Sequence, residues 1–176
     1  QKIKTISPFV YRQAILKYRN TSHGMLIKGI KEGTDAVDKL FDGIKNKDKS
    51  ILFKKSEHYN ESENHTSLIP SIIVGKQLSL DLGIYEGAIV TLLSSSMQSS
   101  PFGLMPQYKR FIVKGIYDIG LPEYESSLAY VDMKEAQSLF EMKGKVSGYE
   151  FYIDDMQEAP FVAKEIQDTL SKKDIS

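Results

Sequence analysis

Few side chains in this sequence have the types and spacing for bond-making chemistry. Cysteine is absent, so there is no thiolate nucleophile and no disulfide. Of three histidines, His58 and His65 stand among Glu57, Glu61 and Glu63, a set that could ligate a cation. Such ligands in a polar stretch lack the ordered outer shell that metal sites need, so no metal is expected there. His23, beside Gly24, reads as a loop residue with no partner ligand. No Ser-His-Asp order appears. Glu123, Tyr124 and Glu125 next to Pro122 make an acidic and aromatic knot that reads as a turn. The residues point away from an enzyme, and no cofactor is expected.

What the sequence does offer is recognition. Residues 101–106 read P-F-G-L-M-P, which sets Phe102, Leu104 and Met105 between two prolines, Pro101 and Pro106. Proline removes a backbone donor and restricts φ. The sextet sits inside residues 94–109, too long for a tight turn between two β-rich runs, 88–93 and 110–117. Two arrangements follow from these residues alone. One is a protruding arm whose apolar tip inserts into a partner, a task that suits the adaptable Met and the large apolar face of Phe. The other is a loop that folds back and buries its tip on its own domain. Loop length does not separate them.

The surrounding elements follow from periodicity and punctuation. Residues 9–18 and 24–30 predict a β-hairpin across the polar turn R-N-T-S at 19–22. Thr34 or Asp35 is placed to cap a short helix in which Val37, Leu40 and Phe41 share one face. Residues 45–67 read as a polar, solvated linker, interrupted by Ile51, Leu52 and Phe53. A strand at 71–75 leads into a helix at 76–82, with Leu78, Leu80 and Leu82 toward its apolar side and Gly83 as a left-handed cap. After the central stretch, 118–124 predicts a turn and 127–131 a strand. Asp132 caps a helix at 133–140, and 149–153 alternates as a strand. Asp154 or Asp155 would cap a last helix, about 157–171, with Pro160 in its first turn and Phe161, Val162, Ala163, Ile166 and Leu170 on its packed face. The order mixes strands and helices without a repeating βαβ rhythm, so the expected class is α+β.

With 176 residues and 41% hydrophobic content, the chain can bury a core. Lys plus Arg and Asp plus Glu are each 23, a formal net charge of zero, so no global field favours nucleic acid or an anionic membrane. No apolar run reaches the roughly 18 residues of a membrane span. The sequence opens on Gln1 in the middle of a pattern, which suggests a piece of a longer protein.

Several stretches together resemble a known family. They are S-P-F-V-Y-R-Q-A (7–14), G-M-L-I-K-G-I (24–30) and I-I-V-G-K-Q-L-S-L-D-L-G-I-Y-E-G-A-I-V-T-L (72–92). R-F-I-V-K-G-I-Y-D-I-G (110–120), Y-E-S-S-L-A-Y-V-D-M-K-E-A-Q-S-L-F (124–140) and V-S-G-Y-E-F-Y-I-D-D (146–155) continue the order. The joint pattern is similar to the periplasmic core domain of MacB-type ABC transporter permeases. It is closer still to the lipoprotein-releasing permeases of the LolC/LolE family, resembling LolC or a LolC/LolE hybrid.

The resemblance implies a periplasmic fragment of an inner-membrane protein of Gram-negative bacteria. It implies a Porter-like subdomain, 1–66 and 127–176, and an inserted Sabre-like subdomain, 67–126, bearing a protruding β-hairpin, the Hook, at about 94–108. Implied partners are the periplasmic chaperone LolA, the LolD ATPase, a second permease subunit and a lipoprotein substrate, but no nucleic acid. ATP hydrolysis would belong to the separate cytosolic subunit. Implied docking residues are Pro101, Phe102, Gly103, Leu104, Met105 and Pro106 at the tip, with Tyr108, Lys109 and Arg110 on an adjoining pad. The family's basic pad position ahead of the Hook falls on Val90, a departure from the pattern. The alternative is a domain of another MacB/FtsX-superfamily permease that binds an adaptor or a cell-wall hydrolase activator.

Overall fold

Backbone pairing decides this architecture. The computed structural model describes residues 3–44, 47–60, 64–101, 103–153 and 156–173. The chain opens with β1 (Ile3–Tyr18) and β2 (Thr21–Ile30), then α1 (Asp35–Asp42) and a 3₁₀ turn (Lys49–Leu52). Next come β3 (Ser56–Asn60), β4 (His65–Ile69), β5 (Ser71–Gly75) and α2 (Lys76–Leu82). β6 (Ile89–Ser100) and β7 (Gly103–Tyr117) follow, then α3 (Pro122–Ser127) and β8 (Leu128–Asp132). α4 (Met133–Leu139), β9 (Gly148–Ile153) and α5 (Ala159–Lys173) complete it.

Six of the strands close into a ring, β1-β2-β8-β5-β7-β6 and back to β1. β2–β8 and β5–β7 are parallel, and the other pairs are antiparallel. β9 adds to β1 over Ile3 to Phe9, and β3 and β4 form a separate two-stranded sheet. Closure removes the free edges of the ring strands and turns alternate side chains inward. Val10, Leu16, Ile27, Ile72, Val74, Leu92, Phe111, Val113 and Val131 are buried in one cluster, joined by Leu78 of α2 and Ala136 and Leu139 of α4. A second cluster, Ile30, Ile73 and Tyr117 with Ala36, Val37, Leu40, Phe41 and Leu52, is built where α1 and the 3₁₀ turn cover the outer side. β5 therefore has both faces covered, which explains its unbroken I-I-V run.

The architecture is α+β, as expected. The ring draws β1, β2 and β8 from residues 1–66 and 127–176, and β5, β6 and β7 from 67–126. The sheet is thus continuous across both expected subdomain boundaries, through β1–β6 and β5–β8.

Four expectations are corrected. Residues 45–67 are not simply a solvated linker. Among its described residues, the 3₁₀ turn buries Leu52, and β3 pairs with β4 in register from Ser56↔Ile69 to Asn60↔His65. A hairpin rich in polar side chains hides from a search for apolar alternation. The expected turn at 118–124 contains the start of α3, with Pro122 in its first turn. The Glu125 carboxylate accepts from the N–H groups of Ile119, Gly120 and Leu121 at 2.9, 3.0 and 3.3 Å. Leu80 and Phe161 are exposed rather than packed, while Leu78 and Val162 are buried. The hairpin turn is only Arg19 and Asn20, since Tyr18 pairs with Thr21. Gly83 does close α2 in the left-handed region, with φ of 65°. Asp154 and Asp155 lie outside the described residues.

Gly75, where β5 enters α2, shows how tightly α3 packs against that junction. A Cβ there would stand 2.1 Å from the Glu125 carbonyl oxygen, which is backbone and has no rotamer to yield. Gly75→Ala is expected to destabilise the domain by about 1–3 kcal/mol or more. Gly24→Ala, with nothing within 4 Å of the new atom, should change stability by under about 1 kcal/mol. Urea unfolding of the two variants beside the parent checks both.

Candidate functional site

The site is built from β6 and β7 where they leave the ring. β1 pairs with β6 as far as Ala14↔Ser94, and β5 pairs with β7 only from Ile112 onward. Beyond those points the two strands pair with each other alone, through Met97↔Pro106, Gln98↔Met105, Ser99↔Leu104 and Ser100↔Gly103. The hairpin runs six residues past Ser94, which is roughly 20 Å at the rise of a β-strand. The last described pair is Ser100↔Gly103, with Pro101 in a turn beyond it. Phe102 itself lies outside the described residues. The register shifts between Leu93 and Met97, so β6 carries extra residues opposite Gln107, the kind of irregularity that bends a hairpin at its root. Pro106 lacks an N–H, which a strand tolerates where it has left the body of a sheet.

Of the expected tip residues, Pro101, Gly103, Leu104 and Met105 are exposed, and Pro106 is half-buried. Leu104 retains 70% of its accessible surface and Met105 50%, so these two do not fold back onto the domain. The expected pad divides. Tyr108 is 69% exposed, Arg110 is half-buried, and Lys109 is already engaged. Val90 is buried in the core opposite Phe111, so a basic residue there would have to enter the ring. Sequence reasoning missed Met97, which is 60% exposed on the arm. Its signal was its place across the strand from Pro106, which only the register reveals. His58 and His65 stand opposite Ser67 and Asn60 in the β3–β4 hairpin, not opposite each other.

The arm's root is fastened by two carboxylates, Glu135 and Glu141. Glu135, buried on α4, takes Lys109 at 2.5 Å on Oε2 and Lys55 at 2.8 Å on Oε1. Lys109 also reaches Ser138 Oγ at 3.3 Å, and Gln107 Nε2 donates to Glu141 Oε1 at 3.4 Å. Three elements thus meet at Glu135: α4, the arm's return strand and the segment before β3. Burial works against a charge on Glu135, but hydrogen bonds from Lys109 and Lys55 outweigh it and hold the carboxyl below its ordinary 4.5. Among the described residues no helix is long and apolar enough to cross a membrane, and no three His, Cys, Asp or Glu side chains gather as a metal site. The arm's exposed apolar side chains offer a surface for binding.

No protein-family model matches the chain. Two lipoprotein-releasing system transmembrane proteins named LolC are similar to nearly all of it. That of Xylella fastidiosa strain 9a5c is 31% identical over 165 residues, 94% of this chain and 37% of its own length. That of Neisseria meningitidis serogroup B is 26% identical over 164 residues, 90% of this chain and 35% of its own. The chain therefore spans about a third of these relatives. Two solved structures share the fold at low identity. The periplasmic region of MacB from Actinobacillus actinomycetemcomitans has a TM-score of 0.52 and 14% identity, covering 98% of this chain and 68% of that one. The extracellular domain of the ABC-type transporter YknZ from Gram-positive bacteria has a TM-score of 0.51 and 16% identity, covering 90% and 69%.

Because the Glu135 carboxyl is lowered in the folded state, its stabilising effect is present above its unfolded value and is lost as pH falls through the folded one. Glu135→Gln should lower stability at neutral pH by about 1 kcal/mol. It should also flatten the loss of stability below the ordinary 4.5. Thermal unfolding of parent and variant across acid and neutral pH tests this, and parallel curves would remove Glu135 from the acid response.

Proposed function

We infer the function from two likenesses, to LolC proteins in sequence and to the MacB-type periplasmic domains in fold. From these we propose that the chain is the periplasmic domain of an inner-membrane lipoprotein-releasing ABC permease, whose arm docks the chaperone LolA. The observation that carries this reading is the exposed apolar end of a hairpin unpaired on both sides, with Leu104 and Met105 facing solvent. A lipid-anchored protein cannot cross water with its acyl chains bare, because exposing apolar surface is costly. Its carrier must hold an apolar cavity, and a narrow apolar finger is the complement of such a cavity. Docking at the finger brings the carrier to the permease at the moment of hand-over.

In this reading the domain itself is not catalytic and needs no cofactor. A cytosolic LolD subunit hydrolyses ATP, a second permease subunit completes the membrane part, and the lipoprotein is the cargo. The Porter-like and Sabre-like parts are a division of labour within one barrel: residues 67–126 extend the arm, while 1–66 and 127–176 hold its root through Lys55 and Glu135. Arg110 and Tyr108 flank the entrance to the arm. Charges at a rim set orientation and encounter more than affinity.

Phe102→Ala is expected to weaken LolA binding by about 1–3 kcal/mol, the range for an aromatic anchor. Calorimetric titration of the domain with LolA measures it, and unchanged affinity would reject the tip. Deleting residues 96–106 should abolish binding while circular dichroism stays native. Retained binding would favour a superfamily domain that meets its partner elsewhere.

A further inference from the structure

We propose that a cavity of about 470 Å³ beside α1, on the outer side of the barrel, binds a small acid, a carboxylate carried on an aromatic body. The volume is within the roughly 300–1,000 Å³ of small-molecule sites. The lining residues belong to α1, β2, residues 117–124, β8 and β9, not to the arm. The body of the ligand follows from the walls. Tyr117, Tyr124, Tyr130, Phe151 and Tyr152 set five aromatic rings around one space, with Leu40, Ile119 and Leu121 among them. Tyr117 and Tyr130 already meet edge to face, their centroids 5.4 Å apart. Ile119 and Leu121 stay 45% and 58% exposed, apolar side chains left in water at the rim. A flat ring entering here would bury that surface and gain edge or offset contacts with the tyrosines.

The head of the ligand follows from which polar groups are already used. Glu150 accepts from Lys28 on one oxygen and from the Tyr152 hydroxyl on the other, so this carboxylate and the Lys28 charge answer each other within the wall. Tyr117 donates to the Leu128 carbonyl at 2.9 Å. What remains is donor capacity. The Tyr124 and Tyr130 hydroxyls pair at 3.3 Å, which uses one proton and leaves the other. Burial raises Tyr130 above its ordinary 10.0, so the phenol keeps its proton at neutral pH. Lys39 rests its ammonium over the Tyr152 ring, 4.2 Å from the centroid, and makes no ion pair among the described residues. Asp35, one turn earlier on α1, is taken by the Thr5 hydroxyl. The wall therefore holds two ammonium groups against one carboxylate, with spare donors on α1 and at the Tyr124–Tyr130 pair. A carboxylate answers both the charge and the donors. Aromatic rings can also cage a quaternary ammonium, but here Lys39 already holds the Tyr152 face and would repel a second cation.

The test uses this chain and three probes that share a phenyl ring: N-acetyl-phenylalanine, its neutral amide and phenethylammonium. Calorimetric titration is expected to show binding of the acid, binding of the amide weaker by about tenfold or more, and none of the ammonium. Lys39→Gln and Tyr124→Phe should each weaken the acid about tenfold, the worth of one hydrogen bond to a charged group. Lys17→Gln, at an exposed lysine on β1 outside the cavity, should change it less than about twofold. Lys39 and Tyr124 are exposed and the Phe variant keeps its ring, so both variants should fold, which circular dichroism verifies. If acid and amide bind alike, or if Lys39→Gln leaves affinity unchanged, the carboxylate assignment falls. If phenethylammonium binds more tightly than the acid, the cavity is a cation cage and the proposal is overturned. If none of the three binds at millimolar concentration, the cavity takes no aromatic acid and the proposal is likewise overturned. A peptide ending in phenylalanine then separates two sources of the same chemistry: tighter binding than the free acid assigns the end of a chain, and weaker binding a free small acid.

Discussion

A strand edge taken out of water must find hydrogen-bond partners, and that requirement shapes this molecule. The ring satisfies it by closing: β1 meets β2 on one side and β6 on the other, so the sequence's first strand is also the seam. An arm can leave such a ring only as a pair. A single strand departing would strand a row of N–H and C=O groups, whereas β6 and β7 carry their mutual bonds outward with them. The extra residues opposite Gln107 fall just beyond the ring, where an irregularity does not open a ring seam. Reach, direction and independence of the arm are thus consequences of barrel closure.

Much of this was legible in the residues. β5, β8 and α4 follow from runs such as I-I-V-G and from Asp132, whose side chain accepts from the Lys134 N–H as a cap should. The β-rich runs on either side of P-F-G-L-M-P became β6 and β7, but the strands continue through what read as a long loop. Serines and prolines signal a loop in isolation. Here a partner strand in register overrides that local preference. Closure itself was not legible, because β1–β6 and β2–β8 join residues far apart in sequence and no periodicity names a partner. The β3–β4 hairpin escaped for a different reason. Its alternation is between half-buried and exposed polar residues, so charge pattern suggested solvation where pairing prevails.

Lys109 shows why residue type and function part company. Next to an apolar tip, a cation suggests a pad for a partner's acids. Its position on β7 instead gives it the inward parity of Phe111 and Val113, toward α4, where Glu135 awaits. A carboxylate in that place is costly unless paired, and one lysine leaves an oxygen unanswered. Lys55 supplies the second contact. The ion pairs therefore do two jobs at once: they make a buried charge tolerable, and they tie the arm's root to α4 and to the segment before β3. Tyr108, one residue earlier, has the opposite parity and stays exposed, so adjacent residues on the same strand divide between scaffold and surface.

The lack of charge along the arm bears on how it would work. Binding that relies on charge is steered at a distance and weakens with salt. An uncharged hairpin gives no such steering. Its encounter with a partner must be set by charges elsewhere on the domain, of which Lys and Arg balance Asp and Glu overall, or by tethering in a larger assembly. Once contact is made, apolar burial is non-directional, so specificity has to come from shape. A hairpin two strands wide, with a register shift at its root and Lys109 paired to Glu135, provides shape in a way a flexible loop of the same composition would not. Rigidity also lowers the entropy lost on docking.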